Sequence, residues 1–172
     1  MRNIRKSYEE HGVSEFYQKG VYENPHAMIV QSLVLARCRG FNRVLDLACG
    51  NGEVTAALPQ SIDVVGCDPF LSSSYVQKTG RNCHTLSFSD IAESGFPEKD
   101  FDAIICSFAL HLSPPSMLPL LLYQLSRIGK TLIVISPSKF PVIDENWPWK
   151  IEEYTVKDRV HFRRFIGPLM IQ

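Results

Sequence analysis

The stretch that most constrains this chain is an apolar run that breaks into a turn with two glycines. Residues 43–47 are short and apolar, Gly50 and Gly52 follow, and residues 53–58 suit a helix. A short apolar run bounded by turn residues is typical of a buried strand. Glycine tolerates positive φ and lets a ligand approach the backbone, and the first amides of a helix face such a turn. The stretch therefore predicts a strand, a tight turn and a helix, either as a ligand site or as the same unit without a ligand.

The residues around the two glycines distinguish between two kinds of cofactor site. The dinucleotide fingerprint G-x-G-x-x-G needs a third glycine for close packing of helix on strand, and Thr55 stands there. An acid, Asp46, instead ends the strand four residues before Gly50. This pattern resembles the first motif of the class I S-adenosylmethionine-dependent methyltransferases, with Ala48 where many members have glycine. The resemblance implies that the methionine part of the cofactor is held by Asp46 and by the backbone around Ala48, Cys49, Gly50 and Gly52.

A second acid ends the next predicted strand. Residues 62–68 form an apolar run that closes on Asp68, sixteen residues after Gly52, and Pro69 follows it. A carboxylate at this position can accept hydrogen bonds from both hydroxyls of a ribose. Aspartate before proline also suits a helix start, where its side chain caps the first amides. The two roles are compatible, and the resemblance assigns Asp68 and Pro69 to the cofactor site.

Two later strand ends complete the predicted site. A third strand is predicted at residues 84–88, and the resemblance implies that Ser89 and Asp90 flank the adenine, while a helix cap is the alternative for Asp90. The next apolar run predicts a buried fourth strand, and the resemblance places Ser107 near the sulfonium and the acceptor. His111 follows as the candidate catalytic residue. It is predicted to act as a base or to orient the acceptor, or else to be a loop histidine bonded to backbone.

Short strands alternate with helices along most of the chain, which predicts βαβ units and a parallel sheet. Right-handed crossovers then place the ligand at the carboxyl ends of the strands, at the switch point. A helix is expected to end at Gly129, before a fifth strand over 131–136. The resemblance adds a final hairpin, expected at 149–157 and 159–165. The expected fold class is α/β, a single doubly wound, mainly parallel seven-stranded sheet with a C-terminal antiparallel hairpin.

The expected domain organisation is simple. Residues 24–172 form the S-adenosylmethionine-binding domain, which opens with a helix to about residue 39, and residues 1–23 form an N-terminal arm or lid. The aromatic residues Tyr17, Tyr22 and His26 lie where related enzymes fold a lid over the cofactor, and aromatic faces suit a sulfonium cation. Tyr22 therefore joins the predicted cofactor site, with ordinary packing of Tyr17 and Tyr22 on the sheet as the alternative.

The composition excludes several classes of function. The formal net charge of the 172 residues is +0, so no global basic field attracts nucleic acid. The five cysteines include no C-x-x-C pair, so the sequence predicts neither a metal site nor a redox dithiol. Buried free thiols in a reducing compartment are expected instead, which indicates a cytoplasmic protein. No apolar run is long enough to span a bilayer, so no membrane partner is expected.

One local basic stripe remains on the last predicted strand and just before it. It could meet an acidic partner or an RNA backbone, or it could simply be solvated. The stripe consists of Lys157, Arg159, His161, Arg163 and Arg164.

These observations predict methyl transfer from S-adenosylmethionine, with S-adenosylhomocysteine as product, to a small molecule or to an accessible group on a larger one. The fourth strand lacks the Asn/Asp-Pro-Pro-Tyr/Phe motif, which argues against methylation of adenine N6 or glutamine. The alternative is a methyltransferase-like module without catalysis, which binds a partner protein or RNA. A nicotinamide-dependent oxidoreductase is disfavoured by the missing third glycine. The sequence predicts no particular oligomeric state.

Overall fold

The structure, a computed structural model, describes residues 26–144 and 146–168. The predicted arm over residues 1–23, with Tyr17 and Tyr22, lies outside the described residues. In chain order the elements are α1 (Ala27–Arg37), β1 (Arg43–Leu47), α2 (Glu53–Ala57), β2 (Asp63–Cys67), α3 (Ser72–Thr79), β3 (Cys83–His84), α4 (Phe88–Ser94), β4 (Phe101–Ser107), a 3-10 turn (Leu110–Leu112), α5 (Leu118–Ser126), β5 (Gly129–Ser136), β6 (Lys150–Lys157) and β7 (Val160–Ile166).

The strands form one seven-stranded sheet in the order β3-β2-β1-β4-β5-β7-β6. Strands β1 to β5 pair in parallel, while β7 runs antiparallel to both β5 and β6. The strand order reverses between β1 and β4, so the switch point lies where the turn after β1 meets the end of β4. The predicted fold class, including the C-terminal antiparallel hairpin, is confirmed.

Helices cover both faces of the sheet, and each face has its own apolar layer. Helix α5 packs on one face through side chains such as Leu121, and α1 and α2 pack on the other through Val30 and Val54. Neighbouring residues of β4 alternate between the layers, since Ile104 belongs to the first and Ile105 to the second. This alternation follows from the pleat of a strand. The layers fix the carboxyl ends of β1 and β4 side by side, where the candidate site lies.

Two predicted boundaries are wrong for identifiable reasons. The third strand is only Cys83–His84, because Ser87 caps the next helix and that helix begins at Phe88. Gly129 does not end a helix but begins β5, and α5 already ends at Ser126. A Cβ atom at Gly129 would lie 2.7 Å from Cδ1 of buried Ile104, so glycine here lets β5 lie close against that side chain of β4.

The C-terminal hairpin turns through Asp158 and Arg159, whose φ angles of 49° and 65° match the paired left-handed residues of a tight hairpin turn. The basic stripe is not a uniformly solvated face. Arg163 is buried, with 6% of its surface exposed, and its guanidinium donates to the carbonyl oxygens of Lys139 (2.9 Å) and Pro141 (2.5 Å). Arg164 donates to the carbonyl oxygen of Arg37 and lies 3.8 Å from Glu152 and 3.9 Å from Glu153. The expectation of a solvated stripe is therefore wrong for Arg163 and Arg164.

Two features are absent from the described ranges. Within residues 26–144 and 146–168, no helix has the length and apolar character needed to cross a membrane. The same ranges contain no group of three or more His, Cys, Asp or Glu side chains placed to hold a metal ion.

Candidate active site

The carboxyl group of Asp46 lies at the end of β1 and is almost fully buried, with 1% of the residue exposed. Thr55 donates to Oδ2 of Asp46 twice, from its amide (3.2 Å) and from its hydroxyl (2.7 Å). The Thr55 hydroxyl also lies 2.8 Å from the hydroxyl of Tyr75 on α3. Burial raises the pKa of Asp46 to about 7, and the hydrogen bonds from Thr55 only partly oppose this. The site therefore holds a carboxyl group that titrates near neutral pH.

The turn after β1 uses three residues in the left-handed region. The φ angles are 56° for Ala48, 53° for Gly50 and 88° for Gly52. Alanine at positive φ costs about 1–2 kcal/mol relative to the ordinary helical region. Ala48 therefore has a backbone conformation that glycine adopts easily and alanine does not. At Gly52 a Cβ atom would lie 2.6 Å from Cγ2 of Thr79, so both backbone angle and space require glycine.

Asp68 connects this turn to the loop after β2. Its Oδ2 accepts a hydrogen bond from the amide of Gly50 (3.1 Å), and its Oδ1 accepts from the amides of Phe70 (2.9 Å) and Leu71 (2.8 Å). Helix α3 begins at Ser72 with Leu71 at its N-cap and no side-chain cap, so Asp68 holds the loop before the helix and the predicted capping role is wrong. Pro69 lies half-buried beside it. A carboxylate held by three amides has a fixed orientation at the edge of the sheet.

Asp90 takes part in a capping box at the start of α4. Its Oδ2 accepts from the amide of Ser87 (2.8 Å) and from the hydroxyl of Ser87 (2.6 Å), and its own amide donates to Oγ of Ser87 (3.2 Å). These hydrogen bonds hold the pKa of Asp90 below its ordinary value. Ser89 and Asp90 are both exposed. The alternative reading of Asp90 as a helix cap is thus confirmed, and contact with adenine stays a prediction.

The end of β4 meets the end of β1 at the switch point. Leu47 pairs with Cys106, so Ser107 lies beside the beginning of the glycine turn. The next residue, Phe108, has a φ of 55°, and its ring stacks on His26 with the ring centres 5.1 Å apart and the planes 18° apart. His111 lies half-buried in the 3-10 turn Leu110–Leu112. The predicted residues around β1, β2 and β4 are therefore brought to one edge of the sheet.

Sequence reasoning missed the residues that hold Asp46. In the sequence, Thr55 stands out as the residue in place of a third glycine, and a hydroxyl among apolar helix residues is also a signal for a buried hydrogen bond. Tyr75 gives no such signal, because its contact with Thr55 depends on how α3 packs over the turn. The two side chains give the Asp46 carboxyl group its fixed position.

A parallel sheet with a glycine turn and two buried acids at its switch point defines a domain that binds a nucleotide-like cofactor. Residues 44–131, just over half of the 172-residue chain, match the family model described as a methyltransferase domain. The chain belongs to this methyltransferase family. It is an S-adenosylmethionine-dependent methyltransferase with a Rossmann-like fold, and its cofactor is S-adenosylmethionine.

Comparison with individual proteins agrees with the family assignment. The chain is 29% identical over 226 aligned positions to an uncharacterized protein of Schizosaccharomyces pombe, covering 95% of this chain and 91% of that protein. It is 35% identical over 103 residues to the demethylmenaquinone methyltransferase of Beutenbergia cavernae, covering 58% of this chain and 42% of that protein. The solved structure of magnesium protoporphyrin IX methyltransferase from Synechocystis, with bound cofactor, has a TM-score of 0.62 at 17% identity, covering 94% of this chain and 93% of that one. The last likeness is one of fold.

Proposed function

We propose that this enzyme transfers the methyl group of S-adenosylmethionine to a small-molecule acceptor with an apolar, flat part. The observation that carries the proposal is the stacked pair of Phe108 and His26 at the end of β4. The rings lie beside the switch point, where the cofactor binds in folds of this kind. A flat aromatic surface there suits an acceptor that stacks, since offset stacking of rings is favourable by about 1 kcal/mol.

The residues present fit the cofactor, and we assign their roles as follows. The buried carboxyl group of Asp46 suits the ammonium of the methionine part, and the turn at Ala48, Gly50 and Gly52 leaves backbone amides close to it. Asp68 suits the ribose hydroxyls, because three amides already hold its carboxylate in place. Cys49 and Pro69 contribute backbone beside these acids, Ser89 and Asp90 border the adenine, and Ser107 borders the sulfonium. Contact of Tyr22 with the cofactor stays a prediction, because Tyr22 lies outside the described ranges.

When bound, S-adenosylmethionine supplies a methyl group on a sulfonium that carries its own leaving group. The protein has to hold the acceptor in line with that group and keep water out. A general base is needed only when the acceptor atom is protonated at neutral pH. We assign that task to His111, because the 3-10 turn that carries it directly follows the Phe108 surface. Its effect is expected on the rate of transfer and not on cofactor affinity.

Two further observations support a small-molecule acceptor. The connection after β5 starts at the same edge of the sheet, and it exposes Phe140 and Val142 to 54% and 60%, as an apolar rim would. Two proteins similar to this chain are named for demethylmenaquinone and for magnesium protoporphyrin IX, which are small molecules. An RNA partner is less favoured, because Arg163 and Arg164 form hydrogen bonds within the fold.

The proposal includes a cytoplasmic location. Five cysteines without a C-x-x-C pair are typical of free thiols in a reducing compartment, which supports this location.

The test is to label a cell extract with cofactor that carries a tritiated methyl group. The extract is first divided by ultrafiltration into small molecules and macromolecules, and each fraction is incubated with the enzyme. We expect label to accumulate in the small-molecule fraction. Label that appears only in the macromolecules would refute the proposed acceptor class. Cofactor binding without label in either fraction would favour the non-catalytic module.

Once the acceptor is isolated, variants separate the proposed roles. Phe108→Ala is expected to lower kcat/KM for the acceptor by about five- to tenfold, because it removes one stacking surface. Tyr123→Ala, which removes an exposed aromatic ring on α5, is the matched control and should leave kcat/KM unchanged. His111→Asn should lower kcat while the affinity for S-adenosylhomocysteine stays the same. Equal losses in Phe108→Ala and Tyr123→Ala would contradict the assignment.

A further inference from the structure

Two cysteines that are far apart in the sequence meet at the cofactor turn. Cys49 lies in the turn after β1 and Cys83 begins β3, and their sulfur atoms are 3.6 Å apart. That distance is about the contact distance of two sulfur atoms. A Cβ atom at Gly66 would lie 3.1 Å from Sγ of Cys49, so the glycine on β2 leaves room for the thiol between β1 and β3. The fold therefore brings two thiols together, although the sequence has no C-x-x-C spacing that would predict such a pair.

The two thiols differ in a way that suits a reaction with an oxidant. Cys49 is buried, with 5% exposed, whereas Cys83 is only half-buried and can meet a small solute. The hydrogen bond between them lowers the pKa of Cys83 and raises the pKa of Cys49, which is also raised by burial. The thiolate is the reactive form of cysteine, so Cys83 is the one that attacks first.

We propose that Cys49 and Cys83 form a reversible disulfide under oxidation by a peroxide, and that this bond weakens cofactor binding. In the first step the sulfur of Cys83 attacks hydrogen peroxide, an S–O bond forms, the O–O bond breaks, and water leaves with the thiol proton. In the second step the sulfur of Cys49 attacks that sulfenic acid, the S–S bond forms, and the S–O bond breaks to release a second water. Two electrons pass from the sulfurs to the peroxide, and a dithiol reductant reverses the change.

Closing the disulfide draws the cofactor turn and the start of β3 together. A disulfide needs its sulfur atoms about 2.05 Å apart, so the thiols, now 3.6 Å apart, must approach each other. Cys49 lies between Ala48 and Gly50, both at positive φ, and Gly50 donates to Asp68. Movement of Cys49 therefore shifts the amides and the acid assigned to the cofactor. This effect depends on the cofactor site proposed above, whereas formation of the bond does not.

The other three cysteines are poor competitors for the oxidant. Cys38, Cys67 and Cys106 are buried, and burial raises the pKa of each to about 12. Their thiolates are therefore scarce at neutral pH. Selectivity for Cys83 follows from its exposure and its contact with Cys49.

The bond is tested by peptide mapping of the full chain after treatment with hydrogen peroxide. Trypsin separates the two cysteines, because residues 44–78 carry Cys49 and Cys67 while residues 82–99 carry Cys83. We expect a linked pair of these peptides that disappears on reduction, is absent from Cys83→Ser and persists in Cys67→Ser. A linked pair that is lost in Cys67→Ser, which would place the bond at Cys67, or no linked pair at all, would overturn the proposal.

The effect on the site is tested by calorimetry with S-adenosylmethionine on the reduced, oxidised and re-reduced protein. We expect Kd to rise at least fivefold on oxidation, to recover with dithiothreitol, and to stay unchanged in peroxide-treated Cys83→Ser, whose fold is checked by circular dichroism. Equal affinity of the oxidised and reduced wild type would overturn the regulatory half of the proposal. A reduced protein that does not bind S-adenosylmethionine would refute the cofactor site, while a linked peptide would still support the bond.

Discussion

The buried carboxyl group of Asp46 makes cofactor binding dependent on pH. In the protein alone, burial raises the pKa of Asp46 to about 7. The ammonium of S-adenosylmethionine beside it would favour the carboxylate and lower that pKa. Binding therefore has to release a proton whenever Asp46 is protonated beforehand. The affinity for the cofactor is expected to rise with pH up to about 7 and to level off above it.

The size of this effect on Kd follows from the pKa of Asp46. With a pKa of about 7 in the unbound protein, Kd changes about tenfold per pH unit well below that value and little above it. Lowering the pH from about 7.5 to about 5.5 should therefore raise Kd about 25-fold. The predicted pH dependence of Kd applies only up to about pH 7.5, because the α-amino group of the cofactor loses its own proton at about pH 7.7–8.0.

The assay is isothermal titration calorimetry of the reduced protein at several pH values, each in two buffers of different ionisation enthalpy. The buffer dependence reports directly the protons released on binding. Asp46→Asn should bind weakly with no pH dependence in this window. Asp63→Asn, which neutralises an exposed acid at the start of β2, is the matched control and should keep the wild-type profile. Thr55→Val removes the hydroxyl that bonds to Asp46 and should move the midpoint above that of the wild type.

One result would refute this reasoning. If Kd at about pH 5.5 and at about pH 7.5 agrees within about twofold, then either Asp46 does not hold a proton near neutral pH or the ammonium does not pair with it. An unchanged midpoint in Thr55→Val would show that the hydroxyl does not influence the carboxyl group.

Three other predictions test the surroundings of the site. Gly66→Ala should destabilise the fold by about 1–3 kcal/mol in urea titrations, because its Cβ would lie 2.6 Å from ring atoms of buried Tyr75, and unchanged stability would contradict that packing. Asp68→Ala should weaken cofactor binding at least tenfold in calorimetry with the far-ultraviolet spectrum retained, and wild-type affinity would remove Asp68 from the site. Arg163→Met should lower stability by about 1–3 kcal/mol in thermal unfolding, because the carbonyl groups of Lys139 and Pro141 lose their donor, whereas exposed Arg159→Met should have no effect.

Local sequence patterns account for much of the predicted fold and candidate site. The glycine turn and the acids at the ends of β1 and β2 follow from residues that are close together in the sequence. The predicted third strand is too long, because the polar and apolar alternation of residues 85–88 favours a strand while Ser87 and Asp90 favour a helix start more strongly. The lid proposed for Tyr22 stays a prediction, since that residue lies outside the described ranges.

The sequence by itself determined the order of the elements and the type of cofactor turn, because backbone preferences and apolar periodicity act over a few residues. Only the tertiary structure decided which distant side chains meet. Tyr75 reaches Thr55 from another helix, Cys83 reaches Cys49 across strand β2, and Arg163 is buried under the connection after β5. These contacts depend on strand order and helix packing, which no local pattern encodes. Tertiary packing also buries Asp46, which raises its pKa, and the strand order creates the dithiol.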